Sequence, residues 1–160
     1  MKRLICVLAI VTAGLPAYGQ TPKASATPKA SATPAPVASA DTDVSARSKA
    51  LELAGAFSND GYKIRDGFWA AELDAKKAPV LEVNLFAGNE YWFSAAAVSP
   101  ARKIGITVYN EKGKPVDFQT YEDGAVTASG FAPTVSGRYF LKVNLLEGEK
   151  SQFCLLYSYK

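Results

Sequence analysis

Residues 81–97 read Leu-Glu-Val-Asn-Leu-Phe-Ala-Gly-Asn-Glu-Tyr-Trp-Phe-Ser-Ala-Ala-Ala. Leu81, Val83 and Leu85 alternate with Glu82 and Asn84, the period of two that turns apolar side chains to one face of a strand and polar ones to the other. Ala87-Gly88-Asn89 marks a turn, and Tyr91, Phe93, Ala95 and Ala97 then continue one face, with Trp92 on the face opposite Tyr91 and Phe93. The same period recurs downstream. Ile104, Ile106 and Val108 form an inward row, and Glu111-Lys112-Gly113-Lys114-Pro115 turns the chain into Val116–Gln119. Tyr139, Leu141, Val143 and Leu145 alternate with Arg138, Lys142 and Asn144, and Phe153, Leu155, Tyr157 and Tyr159 make a last strand. With weaker strands at Phe68–Leu73 and Ala125–Phe131, the spacing predicts seven or eight short strands. The expected fold class is mainly β: an antiparallel, jelly-roll-like β-sandwich with one N-terminal amphipathic helix.

That helix is predicted over about Val44–Ser58, where Ala50, Leu53, Ala54 and Phe57 fall at i, i+3, i+4 and i+7. Asp43 can cap its start, and Asn59-Asp60-Gly61 supplies a stop. The stripe is narrow and rich in alanine, which fits a helix lying against a sheet; a partner-binding helix is the other use of such a stripe.

Upstream the composition changes. Lys2 and Arg3 precede an apolar run from Leu4 to Leu15, and Ala17-Tyr18-Gly19 offers the small-x-small pattern cut by signal peptidase, before Gln20. This run is shorter than the roughly 20 apolar residues needed to cross a bilayer, so an export signal at 1–19 is expected and no transmembrane segment after its cleavage. Thr21–Ala26 and Thr27–Ala32 each read Thr-Pro-Lys-Ala-Ser-Ala, decaying into Thr33–Ala40. Such a Pro-, Ala- and Ser-rich segment holds no hydrophobic face, and residues 20–42 are expected to be a disordered linker ahead of a 43–160 domain.

Charge and composition narrow the function. The net charge is +3, but Lys2, Arg3, Lys23 and Lys29 all precede residue 41, leaving 14 basic against 15 acidic residues beyond them. The folded part therefore lacks the basic balance that phosphate neutralisation requires, and nucleic acid is not an expected partner. The chain has no histidine, which removes Ser-His-Asp and Cys-His pairs and His-ligated metals. No Gly-rich phosphate loop follows a strand, and Ser45-Ala46-Arg47-Ser48-Lys49 sits on the helix as a solvated face. Neither catalytic residues, a metal nor a cofactor is expected.

Two residue classes remain. The carboxylates Asp66, Glu72, Asp74, Glu82, Glu90, Asp117, Glu122 and Asp123 fall at turns or on polar strand faces; glycosidase chemistry would need two of them paired across a cleft. Glu122-Asp123-Gly124 lacks the spacing of a calcium loop. Among aromatics, Trp69, Trp92 and Tyr91 are the candidate binding residues, since indole rings on solvent stack on sugar rings or on a partner, whereas buried ones serve the core. Cys154, once Cys6 leaves with the signal, is the single cysteine, either a buried strand thiol or else an intermolecular bridge or a reactive thiol.

Three stretches, in order, carry a family resemblance: Val83–Phe93, Ile106–Gly113 with its polar-x-x-Gly turn, and Phe131–Val143 with Ser136-Gly137-Arg138-Tyr139. Over residues 80–159 the chain resembles the bacterial pre-peptidase C-terminal (PPC) domain. The resemblance implies a small secreted β-sandwich that accompanies enzymes without being catalytic. Many members carry an Asp-Leu-Asp type pattern where this chain has Arg102-Lys103-Ile104-Gly105-Ile106, so the resemblance implies no metal site. The expected function is that of an exported, periplasmic or secreted bacterial module, non-enzymatic, acting by binding or by structural association in the cell envelope or extracellular space, with an unidentified protein or glycan of the envelope as partner. A carbohydrate-binding module using exposed tryptophans is the alternative, and a carboxylate-only hydrolase comes third.

Overall fold

The structure, a computed structural model, describes residues 40–160, with side chains from residue 42 onward. The export signal and most of the linker lie outside the described residues. Helix α1 spans Ala40–Ala56, starting within the stretch read as linker, and a short 3-10 helix, Phe57–Asp60, follows it. Asp43 consequently lies inside the helix instead of capping it, and its Oδ1 is buried without a hydrogen-bond partner. Gly61, at φ 87°, closes the 3-10 turn by donating its N–H to Phe57 and Ser58 carbonyls, where the stop signal stood in the sequence.

Nine strands follow: β1 Lys63–Ile64, β2 Trp69–Leu73, β3 Val80–Leu85, β4 Tyr91–Ala97, β5 Ala101–Asn110, β6 Gln119–Asp123, β7 Val126–Phe131, β8 Gly137–Gly148 and β9 Ser151–Tyr159. They form two antiparallel sheets. The larger runs β1-β9-β4-β7-β6, with β2 also on β9, and the smaller runs β3-β8-β5. From β2 to β6 every connection passes from one sheet to the other, and only β6–β7 is a hairpin within a sheet. That alternation builds the jelly-roll-like sandwich, with β6 attached to β7 of the larger sheet.

The alternating rows pack as their period requires. Val83 and Leu85, Ile104, Ile106 and Val108, and Tyr139, Leu141 and Val143 meet Tyr91, Phe93, Ala95, Ala97, Phe153, Leu155 and Tyr157 in one core between the sheets. Tyr139, the third residue of β8, turns its hydroxyl back to the Val135 carbonyl at 2.8 Å, tying the β7–β8 corner to the sheet. The stretch Val116–Gln119 departs from expectation. Val116 returns a backbone bond to Val108 at 3.0 Å, and the strand begins only at Gln119 and runs through Tyr121 to Asp123. All five residues of that strand are exposed, so no alternating burial marks it in the sequence.

Helix α1 covers the outer face of the larger sheet. Ala46, Ala50 and Ala54, one turn apart, are fully buried against Ala96, Val98, Cys154 and Leu156. Their methyl groups let the helix approach closely. Phe57 extends the row and stacks on Trp92 with ring centroids 4.3 Å apart and planes 9° apart. Beneath that indole lies Gly130 of β7, where a Cβ would stand 2.8 Å from the ring. Gly130→Ala is therefore expected to lift Trp92 off the sheet and cost about 1–3 kcal/mol, seen as a lower Tm together with red-shifted tryptophan emission; an unchanged Tm would contradict this packing.

Candidate binding seam

The two long sides of the sandwich differ. On one, β5 is joined to the β6–β7 turn: Ile104 N–H donates to the Gly124 carbonyl at 3.1 Å, and Lys103 pairs with Glu122 at 3.5 Å. On the other, β2 ends one sheet and β3 ends the other, and neither has a further strand beside it among the described residues. The seam between them is open. A cleft of about 330 Å³ occupies one end, lined by the β1–β2 loop, Trp69, Tyr157 and β3 residues Glu82 to Asn84. A second, of about 440 Å³, occupies the other end, between Ala71, Glu72 and Asp74 on one side and Ala78, Pro79 and Val80 on the other.

The first cleft has an aromatic floor and a polar rim. Register sets Trp69 opposite Leu155, which places its ring toward the core side of the sheet, stacked on Tyr157 at 5.8 Å between centroids and 19° between planes. The Arg65 guanidinium donates to the Tyr157 hydroxyl and lies over that ring at 5.5 Å. Burial is the main cause that raises the Tyr157 hydroxyl above its ordinary pKa, and Arg65 opposes it. Phe68, at the mouth, is 42% exposed and carries the Arg47 guanidinium of α1 over its ring at 4.3 Å. Asp66, Glu82 and Asn84 complete the rim.

The three candidate aromatics do not converge. Tyr91 is core: only 4% exposed, its hydroxyl accepts the Phe86 N–H at 3.0 Å and an Asn89 Nδ2 hydrogen at 3.2 Å. Trp92 lies on the opposite, helix-covered face, held between Phe57 and Gly130. Trp92 and Tyr91 border a small cleft of about 160 Å³ with Tyr62 and Glu90, but the faces of the indole are taken up by Phe57 and by Gly130. Trp69 alone lines the seam, at a position where the sequence shows only a weak strand. Arg65, Asp66, Phe68, Glu82, Asn84 and Tyr157 join it from three separate stretches, and no spacing within the chain announces that meeting.

Four of the eight candidate carboxylates, Glu72, Asp74, Glu90 and Glu122, have partners within the fold. Glu72 pairs with Lys150 at 2.8 Å, and Asp74 accepts the Lys76 N–H at 2.8 Å. Glu90 accepts the Tyr62 hydroxyl at 2.7 Å and pairs with Lys160 at 3.3 Å, and these partners hold its carboxyl below the ordinary range. Asp66 and Glu82 share the first cleft. Among the described residues no group of three or more His, Cys, Asp or Glu side chains is placed to hold a metal ion, and no helix is long and apolar enough to cross a membrane. A wider cleft of about 590 Å³ between the β5–β6 and β7–β8 loops carries the Arg138–Glu111 pair at 2.9 Å.

Comparison with protein-family models and with curated proteins returns no match to this chain.

Cys154 is fully buried beneath α1, and desolvation pushes its thiol up to about 11 from an ordinary 9.0. The unfolded chain releases this proton before the folded one does, so the fold loses stability as pH climbs from about 9 towards 11. A disulfide reagent at pH 8 is expected to leave the native thiol unlabelled and to react fully in denaturant; rapid labelling of the native protein would contradict the buried placement.

Proposed function

We propose that this chain is an exported, tethered and non-enzymatic β-sandwich module that acts by binding in the cell envelope or outside it. The open seam between β2 and β3 carries the reading, because it combines an aromatic floor with charged and amide groups that no other part of the fold engages fully. Export is supported by Lys2, Arg3, the Leu4–Leu15 run and Ala17-Tyr18-Gly19. Kinship with PPC modules is part of the same proposal, supported by the order of the three sequence stretches and by the turn and corner residues they contain. A photo-reactive residue in place of Phe68, at the cleft mouth, is expected to capture an envelope component in cells and to do so on a chain beginning at Gln20. The same group in place of Val44, exposed on the helix, is the comparison. Equal capture from both positions, or from neither, sinks the seam as the binding surface.

The alternative is a carbohydrate-binding module, and one observation favours it: Trp69 sits on a cleft whose rim holds Arg65, Asp66, Glu82 and Asn84, the acceptors and donors that pair with sugar hydroxyls. In a Trp92→Phe background Trp69 is the single tryptophan, and a bound glycan is expected to give a saturable change in its emission that Trp69→Ala abolishes. An emission unchanged across envelope polysaccharides and their oligosaccharides removes the sugar reading and leaves a protein partner.

A further inference from the structure

The open seam ends in strand edges, and strand edges bind strands. Proteins ordinarily blunt an exposed edge with a lysine, a proline, a bulge or extreme shortness. Of the other sheet ends, β1, β5 and β6 show these devices, while β2, five residues with Glu72 as its single charge, shares the open seam with β3 and is the shorter of the two edges. β1 has two residues, one of them Lys63; β6 carries Glu122 and Asp123; β5 has Arg102, Lys103 and a register shift at Lys103, and its far end is covered by the return of Val116. β3 has none of them. It offers six residues, Val80 to Leu85, without proline, lysine or register shift, and Glu82 is its single charge.

Its free hydrogen-bonding groups can be assigned. The Val143 N–H donates to the Pro79 carbonyl at 3.1 Å, so the Pro79 and Val143 positions are a hydrogen-bonded pair. Pairs of this kind alternate along an antiparallel ladder, and the register then turns the N–H and C=O groups of Leu81, Val83 and Leu85 toward β8. Those of Val80, Glu82 and Asn84 point away from it. Among the described residues no backbone bond is made on that side. Val80 borders one cleft and Asn84 the other, four residues or about 13 Å apart along the strand.

We propose that β3 is a docking edge for an extended peptide of a partner protein, which adds as a fourth strand to the β3-β8-β5 sheet and sets apolar side chains at i and i+4 into the two clefts. The spacing follows from the strand itself, since residues four apart share a face, and both clefts have apolar walls, Trp69 and Val83 in one, Ala71, Ala78 and Pro79 in the other. A second copy of this chain fits poorly. A two-fold pairing of β3 edges centred on the outward groups sets Glu82 directly against its counterpart, a like-charge opposition that destabilises a ladder. The inference rests on the reading of the seam as a binding surface and names the ligand class for it.

Proline at an edge position whose N–H faces solvent leaves the existing ladder intact, which makes Glu82→Pro the decisive variant. The probe is a panel of fluorescein-labelled seven-residue peptides of the pattern K-x-T-x-T-x-K, with x as Val, Leu or Phe, read by anisotropy. At least one is expected to bind the wild-type chain and to bind Glu82→Pro about tenfold more weakly or worse, with a much smaller loss in Glu82→Thr, which keeps the N–H. Equal losses in the two variants overturn the proposal, as does a panel with no binder. Should Glu82→Pro fail to fold, amide exchange decides: the bound peptide is expected to slow exchange at Val80, Glu82 and Asn84, and unslowed exchange overturns the docking edge. Self-association blocked by Glu82→Pro overturns it in favour of a second copy. A glycan that changes Trp69 emission while every peptide fails overturns the peptide and leaves the seam as a binding surface; silence from both removes the seam as well.

Discussion

Strand β9 is buried on both faces, and the rest of the domain is arranged to meet that demand. Phe153, Leu155 and Tyr157 face the core between the sheets, while Cys154, Leu156 and Ser158 face the helix, and all six are at most 6% exposed. Along its edges β9 holds β4 on one side and both β1 and β2 on the other. A strand so placed must be roofed twice, once by the smaller sheet and once by α1, because an apolar face left on water forfeits about 25 cal/mol for each Å². The seam inherits its chemistry from the same strand: Tyr157 is its floor, and the β2–β9 register puts Trp69 beside it.

The helix roof is built from small residues and clasped by large ones. Alanines one turn apart bring α1 close to the sheet but bury little area, and Ser94 and Ser158 hydroxyls are left without hydrogen-bond partners beneath it. An unsatisfied buried polar group costs about 1–3 kcal/mol. Two contacts at the margins oppose this: Phe57 on Trp92 at one end, and Arg47 over Phe68, which also fastens the helix to the mouth of the cleft. Trp92 is therefore a clasp of the helix, and its aromatic surface is used within the fold.

The two sides of the sandwich express different solutions to the edge problem. Where β5 meets the β6–β7 turn, backbone bonds and the Lys103–Glu122 pair close the gap, and charges mark the strands that remain exposed. Where β2 and β3 meet, no third strand closes it, and two clefts lie between the edges. An open seam exposes backbone donors and acceptors beside apolar walls, the combination that recognises an extended chain.

The architecture was legible in residues 81–159 because alternation of apolar and polar side chains is a local property: Val83 and Leu85, Ile104, Ile106 and Val108, and Tyr139, Leu141 and Val143 all face inward as their period requires. Ala50 and Ala54 of the helix stripe were legible for the same reason, whereas Ala46, read as part of a solvated face, is buried with them. Strand β6 was not legible, since an edge strand exposed on both faces leaves no periodic trace. Nor were the roles of the aromatics. Adjacent Tyr91 and Trp92 go to opposite faces by parity alone, but whether a face meets a helix, a second sheet or solvent depends on which distant elements pack there. By itself the sequence determined the alternating strands, their core rows and the helix; the tertiary structure decided where β1 and β6 pair, that Trp92 is covered by the helix, that Trp69 lines the seam and that β3 lacks a neighbour, because those facts depend on contacts between residues far apart in the chain.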